Sequence, residues 1–334
     1  MSARMSWLRL LCYLLLTGEV LAAAAPSARR SEFVSIRGRL YVDAEPWADR
    51  QKLVLRWNAA SGDLRLTNRW TRLNLKADTA RAELDGTLVW LGAPLAQMGG
   101  RPLLPVQDAD RVLAPLLNPP RLPGEEKVKL VAISAGHGGK DPGNMEGSRK
   151  EKEYTLKLAF ELERQLKRAG FEVMQVRDKD RYIPPEERPI IANRRKADLY
   201  LALHYNGRPT ARGSAQGLET YCLTFANGES TNGGQSRGYM PGNRHDRENL
   251  TLAYQVHRSL LGELDFADRG VRRANFAELR LAEMPAVLIE GGFMDSREDA
   301  LKIYSDTARA KFATAIVDGV LAYKRLVERG QPEQ

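Results

Sequence analysis

The stretch Val128-Lys129-Leu130-Val131-Ala132-Ile133-Ser134-Ala135-Gly136-His137-Gly138-Gly139 decides how this chain is read. Its apolar run over 128–134 is the first strand of a new segment, and it breaks into glycines around one histidine. Glycines on either side of His137 let the backbone turn tightly and leave the imidazole exposed at the strand's carboxyl end. Downstream, 151–168 carries Leu156, Ala159, Leu162 and Leu166 at helical spacing, and Gly170 closes the helix. Strands follow over 171–177, 199–204, 218–223 and 285–290, with a helix over 186–196 and a helical end over roughly 297–328. Apolar strands alternating with amphipathic helices predict a layered α/β domain over 127–328.

Upstream the texture differs. Short segments with strand-like content lie at 33–36, 39–42, 52–57, 64–67, 71–75, 80–84 and 87–91, separated by turn material such as Ser61-Gly62-Asp63 and Asp85-Gly86. They predict a small β-rich domain over 32–117. Residues 118–126 hold too many prolines for helix or central strand and read as a linker. A length of 334 residues suits two domains. Every candidate site residue lies beyond the linker, so 127–334 is expected to fold and act alone.

The chain opens with Arg4 and Arg9, an apolar run over 10–16 and the alanines 22–25, the layout of a signal peptide over 1–25. The apolar segment is shorter than a membrane span needs, so an exported protein without stable membrane insertion is expected. Processing would leave Cys222 as the one cysteine and no internal disulfide. The formal charge of +9 is spread thinly, and it suits residence near a polyanion as well as plain solubility; nucleic acid is not the expected partner.

Of four histidines, His137 and His204 stand at strand ends, and Glu151 and Glu290 open a helix and close a strand. Two imidazoles, one carboxylate and an open position form the ligand set of a catalytic zinc site, and a second carboxylate nearby supplies a base. Each residue alone also has an ordinary explanation: a loop histidine, a charge on a solvated helix start, a cap or an arginine's partner. Their joint placement at strand ends favours a site, because open α/β sheets bind there. His245 and His257 have no such placement and read as surface or structural.

Five motifs then occur in order: Gly136-His137-Gly138-Gly139-Lys140-Asp141-Pro142-Gly143, Lys150-Glu151-Lys152, Leu203-His204-Tyr205-Asn206, residues 268–276, and Met284-Pro285-Ala286-Val287-Leu288-Ile289-Glu290-Gly291-Gly292-Phe293. On these the stretch 131–298 resembles the zinc-dependent N-acetylmuramoyl-L-alanine amidases that open with Gly-His-Gly-Gly. The resemblance implies a mixed, mostly parallel sheet with helices on both faces, Zn2+ held by His137, Glu151 and His204, and Glu290 as the catalytic carboxylate. It further implies hydrolysis of the muramoyl–L-alanine amide of peptidoglycan. Asn206, Arg272 and Arg273 are the expected substrate contacts, the two arginines placed in a closing loop. Ser134 stands where members often have Asp, and Tyr205 replaces a small residue and is expected to narrow the groove or stack on substrate. Residues 224–249, rich in Gly, Asn, Ser and Arg, replace an autoinhibitory helix of some relatives and read as a loop, which implies constitutive activity. A zinc carboxypeptidase acting on stem peptides and a non-catalytic wall-binding protein are the alternatives.

Residues 88–94 and 100–106 resemble the small module named after the amino-terminal domain of copper amine oxidases, without implying copper. Wall attachment or folding support is its expected role. Trp47, Trp57, Trp70 and Trp90 could stack on sugar rings, and at strand-like spacing they also suit a core.

Overall fold

The computed structural model describes residues 32–124, 126–208 and 210–329, so the predicted signal peptide lies outside the described residues. The first half runs β1 (Phe33–Ile36), β2 (Arg39–Asp43), α1 (Ala44–Arg50), β3 (Val54–Asn58), β4 (Asp63–Thr67), β5 (Arg72–Lys76), β6 (Arg81–Leu84), β7 (Thr87–Trp90), β8 (Ala96–Met98), β9 (Arg101–Pro105), α2 (Val106–Asp108), a π turn (Ala109–Leu113) and α3 (Ala114–Leu117). There follow β10 (Leu130–Ala135), β11 (Met145–Glu146), β12 (Arg149–Lys150), α4 (Glu151–Arg168), β13 (Glu172–Gln175), α5 (Glu187–Arg194), β14 (Leu199–Asn206) and β15 (Leu218–Leu223). A 3₁₀ turn (Pro241–His245), α6 (Asp246–Glu263), β16 (Asp268–Ala274), α7 (Ala277–Arg280), β17 (Ala286–Phe293), α8 (Arg297–Ile303) and α9 (Asp306–Arg329) complete the chain.

Strands β10, β14 and β15 are buried nearly throughout, the first two mostly apolar, as strands with helices on both faces are. They lie in the order β13-β10-β14-β17-β15-β16, parallel except where β17 meets β15. One face packs Leu158, Leu162 and Val256 of α4 and α6 and Val320 of α9. The other packs Ala192 of α5 and Leu279 of α7. The expected mixed, mostly parallel sheet with helices on both faces is present.

The amino-terminal strands are not a separate body. The meander β3–β7 continues the same sheet, giving 11 strands, because β7 pairs in parallel with β16 at Val89 and Val271. Its strands alternate exposed Arg65 with buried Leu64 and Leu66, and the buried set joins the core under α6 and α9. Side chains cross the seam: Trp90 Nε1 donates to Arg269 O at 2.7 Å, Tyr254 Oη to Leu84 O at 3.0 Å, and the Arg273 guanidinium meets Asp108 at 3.3 Å. The proline run is likewise no free tether, since Leu122 N–H donates to Val327 O at 2.8 Å.

Three elements escaped the sequence pattern. Residues 106–117 are helical, with Ala109, Val112, Leu113, Leu116 and Leu117 buried at helical spacing. Asp43 caps α1 by accepting from Glu45 N–H, and α1 buries Trp47, so that tryptophan is core. The supposed closing loop around Arg272 is the strand β16, whose charges are partnered once it pairs with β15 and β7. The segment from 224 forms no α-helix before Asp246, and Thr231 N–H ties it to Arg273 O at 3.0 Å. No helix among the described residues is long and apolar enough to cross a membrane.

Candidate metal centre

The strand ends of β10, β14 and β17 and the start of α4 bring the candidate residues together. His137 follows β10 with φ of 59°, a left-handed conformation that costs a non-glycine residue energy and aims its ring at α4. The turn is possible because its neighbours lack side chains. A Cβ on Gly136 would stand 2.4 Å from the His204 ring, and one on Gly143 would stand 2.6 Å from Glu151 Oε2.

Glu151, the first residue of α4, is 1% exposed and lies between the two imidazoles. Its Oε2 is 3.0 Å from His137 Nε2, and its Oε1 is 3.1 Å from His204 Nδ1. Asn144 N–H and Tyr205 N–H donate to the same carboxylate at 2.9 and 3.0 Å. Burial raises the Glu151 carboxyl, but hydrogen bonds and charge from His137 and His204 outweigh it and hold the group far below the usual carboxylate range. Ligand atoms of His137, Glu151 and His204 lie within 4.8 Å of one another. Two nitrogens and one ionised oxygen, converging so closely, fit a divalent metal cation.

Each imidazole is oriented from behind. His137 Nδ1 pairs with Asp141 Oδ2 at 2.8 Å, and His204 Nε2 pairs with Glu278 Oε1 at 3.1 Å. Such outer partners set the tautomer that presents the other nitrogen to a metal. Glu278, on α7, also accepts from Ser134 Oγ at 2.7 Å and Tyr200 Oη at 2.6 Å. Burial raises its carboxyl, but His204, Arg188 and Tyr200 outweigh that and lower it to about 2. Burial acts on His204 in the opposite sense, and Glu151 and Glu278 override it, raising the imidazole to about 10. Two buried arginines brace the loop carrying His137. Arg177 donates to Ala135 O and Gly136 O, and Arg188 to Ala135 O and His137 O, all at 2.7–2.8 Å.

Glu290 sits in register with His204 on one side and Glu219 on the other. Its Oε2 is buried with no hydrogen-bond partner. Burial pushes its carboxyl up to about 8, with Glu151, Glu219 and Glu278 adding to the rise and His204 opposing it. A proton-exchanging group beside a cation site has this character.

The expected substrate contacts fare differently. Asn206 Nδ2 and Arg272 Nη1 both donate to Glu219, at 3.1 and 2.9 Å, beside Arg269 Nε and Tyr221 Oη. Arg272 therefore lies near the centre with its charge matched. Arg273 does not reach it. Neighbours on a strand face opposite ways, and Arg273 is 2% exposed between Asp108 and Trp90 O. Tyr205 is likewise turned from the groove; it is 2% exposed and packs on Gly291 and the core. His257 is fully buried, bridging Thr220 and Asp268 at 3.0 and 2.9 Å, whereas His245 is half-buried against Glu283 O. Glu278, Glu219, Asp141, Arg177 and Arg188 were missed by the sequence reading. For Glu278 the signal was a charge within the otherwise apolar Phe276-Ala277-Glu278-Leu279, and for Asp141 its place four residues after His137.

A layered α/β sheet with this donor set at its strand ends defines the class, an α/β domain with a candidate metal centre. A family model described as N-acetylmuramoyl-L-alanine amidase matches residues 131–322, and the chain belongs to that family. The amidase domain is that of a peptidoglycan hydrolase. Among its relatives, the Bacillus subtilis (strain 168) protein YqiI is 32% identical over 195 residues, 58% of this chain and 84% of that protein. The sporulation-specific N-acetylmuramoyl-L-alanine amidase of the same strain is 30% identical over 57% of this chain and 66% of its own length. A crystal structure of an N-acetylmuramoyl-L-alanine amidase from Clostridium difficile 630 aligns with TM-score 0.51 at 31% identity, covering 59% of this chain and 97% of that one.

Proposed function

We propose that this protein is an exported, zinc-dependent enzyme that hydrolyses the amide between N-acetylmuramic acid and L-alanine in peptidoglycan. The observation that carries it is the convergence of His137, Glu151 and His204 within 4.8 Å beside Glu290, whose Oε2 is buried without a partner. A zinc ion held by those three residues supplies Lewis acidity toward water and toward the amide carbonyl. Glu290, brought to its carboxylate form by positive charge beside it, takes the proton from the attacking water and then passes it to the departing amine nitrogen. Glu278 and Asp141 hold the two imidazoles in orientation while this happens, and Arg177 and Arg188 keep the His137 turn from relaxing. Asn206, on the end of β14, and Arg272 are the side chains placed to meet the stem peptide. The likeness of residues 88–94 and 100–106 to the amine-oxidase-type module belongs to the same reading, with wall attachment or folding support as its role.

Digestion of purified sacculi with and without chelator, followed by mass analysis, tests this. Release of whole stem peptides, abolished by chelator and restored by Zn2+, is expected. Release of only the last stem residue would instead make the protein a carboxypeptidase.

A further inference from the structure

One face of the 11-stranded sheet carries polar side chains from the candidate metal centre across the seam into the meander. Along neighbouring strands His204 stands opposite Glu290 and Glu290 opposite Glu219, with Tyr221 opposite Arg272 further along β15. The Arg272 guanidinium lies 5.1 Å from the Trp90 ring centre, and Trp90 stands opposite Arg81. On the same face, Glu83, Asn74, Arg65 and Arg56 follow opposite one another across β6, β5, β4 and β3. The amino-terminal strands thus present their solvent face on the same side of the sheet as His204, Glu290 and Arg272.

That solvent face is concave and basic. An open depression of about 870 Å³ is lined by Arg56, Arg65, Arg69 and Arg72, with Trp70 at its rim and Glu83 and Asp85 as its acids. Among the described residues no carboxylate forms an ion pair with any of the four arginines. Both acids are otherwise engaged, Glu83 accepting from Asn74 Nδ2 at 3.2 Å and Asp85 from Arg72 N–H at 2.8 Å. Trp47 is core, and Trp57 and Trp90 are partly buried with their indole N–H groups satisfied, but Trp70 is 57% exposed with Arg69 stacked on it at 4.4 Å. Uncompensated guanidinium groups around an exposed aromatic are suited to a ligand with carboxylates and flat or apolar surfaces. Solubility alone asks for neither the concavity nor the tryptophan.

We propose that this face is a second binding surface for the polymer being cut, holding carboxylate-bearing stem peptides of the glycan strand several repeats away from the scissile amide. The proposal rests on the peptidoglycan reading above and adds where the rest of the polymer goes. At about 4.8 Å per strand, the depression lies roughly 30 Å from Glu290, so only a long substrate engages both. The surface therefore favours intact wall over released fragments.

The test uses the full chain with Arg56→Gln, Arg65→Gln and Arg72→Gln combined, and separately Trp70→Ala, all exposed positions whose folding is checked by thermal melting. Hydrolysis is measured on a soluble monomeric muropeptide and on purified sacculi stripped of phosphate polymers. Binding is followed by co-sedimentation with those sacculi over a NaCl series. The triple variant is expected to raise KM on sacculi about tenfold and flatten the salt dependence, with muropeptide turnover unchanged. Unaltered sacculus binding and KM would overturn the proposal. So would a loss seen only with walls that retain phosphate polymers, or only with vesicles of anionic lipid, since the occupant would then be another polyanion. If wild-type protein cuts neither substrate, the amidase reading fails, and co-sedimentation still reads the surface independently.

Discussion

The two halves of the shared sheet handle charge in opposite ways. In the parallel half, strands covered on both faces carry little charge apart from β16, and at their carboxyl ends Glu151, Glu278 and Glu290 crowd against two histidines. In the meander, one face alone is covered, so charge simply alternates outward along each strand. Burial is what separates them. The same residue types have strongly shifted proton affinities where water is excluded and stay solvated where it is not.

The largest effect expected at the parallel end separates its two central carboxylates. Glu151→Ala is expected to abolish both metal retention and turnover. Glu290→Gln is expected to keep close to one metal per chain while turnover falls roughly 10²- to 10⁴-fold, as loss of a proton-transfer group does. Elemental analysis beside amidase rates decides the matter; metal loss in Glu290→Gln would make that residue a ligand.

The seam is the next place to strike. Asp108→Ala strips Arg273 of its buried partner and is expected to cost about 3–5 kcal/mol in denaturant unfolding, far more than loss of an exposed pair such as Asp63–Lys76. By the same physics residues 127–334 alone, missing Asp108 and β7, are expected to be less stable than the whole chain, contrary to the sequence expectation of independence. A fragment as stable as the full chain would show that the seam is only a contact.

Glu278→Gln leaves the volume but removes the charge facing His204 Nε2, and about 10- to 100-fold weaker metal binding is expected by titration with a competing chelator. Unchanged affinity would reduce Glu278 to a packing role.

The pH dependence of the metal-free protein tests burial directly. With its folded pKa raised from 4.5 to about 8, Glu290 binds a proton more tightly when folded, so its ionisation subtracts stability as pH rises from 4.5 to 8. His204, raised from 6.5 to about 10, contributes stability fully present below 6.5 and lost through pH 10. Melting temperature is therefore expected to fall from mildly acidic to alkaline pH, and the Glu290→Gln variant is expected to lose the lower part of that slope. A flat profile in both would mean that Glu290 is not desolvated. His245→Ala, at a half-buried loop position, is expected to change neither metal content nor turnover, which marks the small end of the scale.

Much of the parallel half was legible in the chain itself. Apolar runs too long and pure to face water had to be internal strands, and α4 begins at Glu151 and ends at Arg168, where its periodicity said it would. Glycine on either side of His137 was readable as a tight turn from its backbone freedom, and the structure adds that a Cβ on Gly136 would stand 2.4 Å from the His204 ring. What stayed hidden depends on partners distant in sequence. β16 is too charged to announce itself as a strand, and only pairing with β15 and β7 explains where Arg269, Arg272 and Arg273 put their charges. Alternation along that strand then decided that Arg272 faces the centre and Arg273 the opposite side. The amino-terminal meander joins the catalytic sheet because β16 would otherwise present an unpaired edge, and no local pattern encodes which edge a distant strand will cover. Residue types and local spacing thus marked the candidate donors and the turn that carries His137. Tertiary structure alone decided which carboxylates are desolvated, because desolvation depends on what packs around a group after the chain has closed.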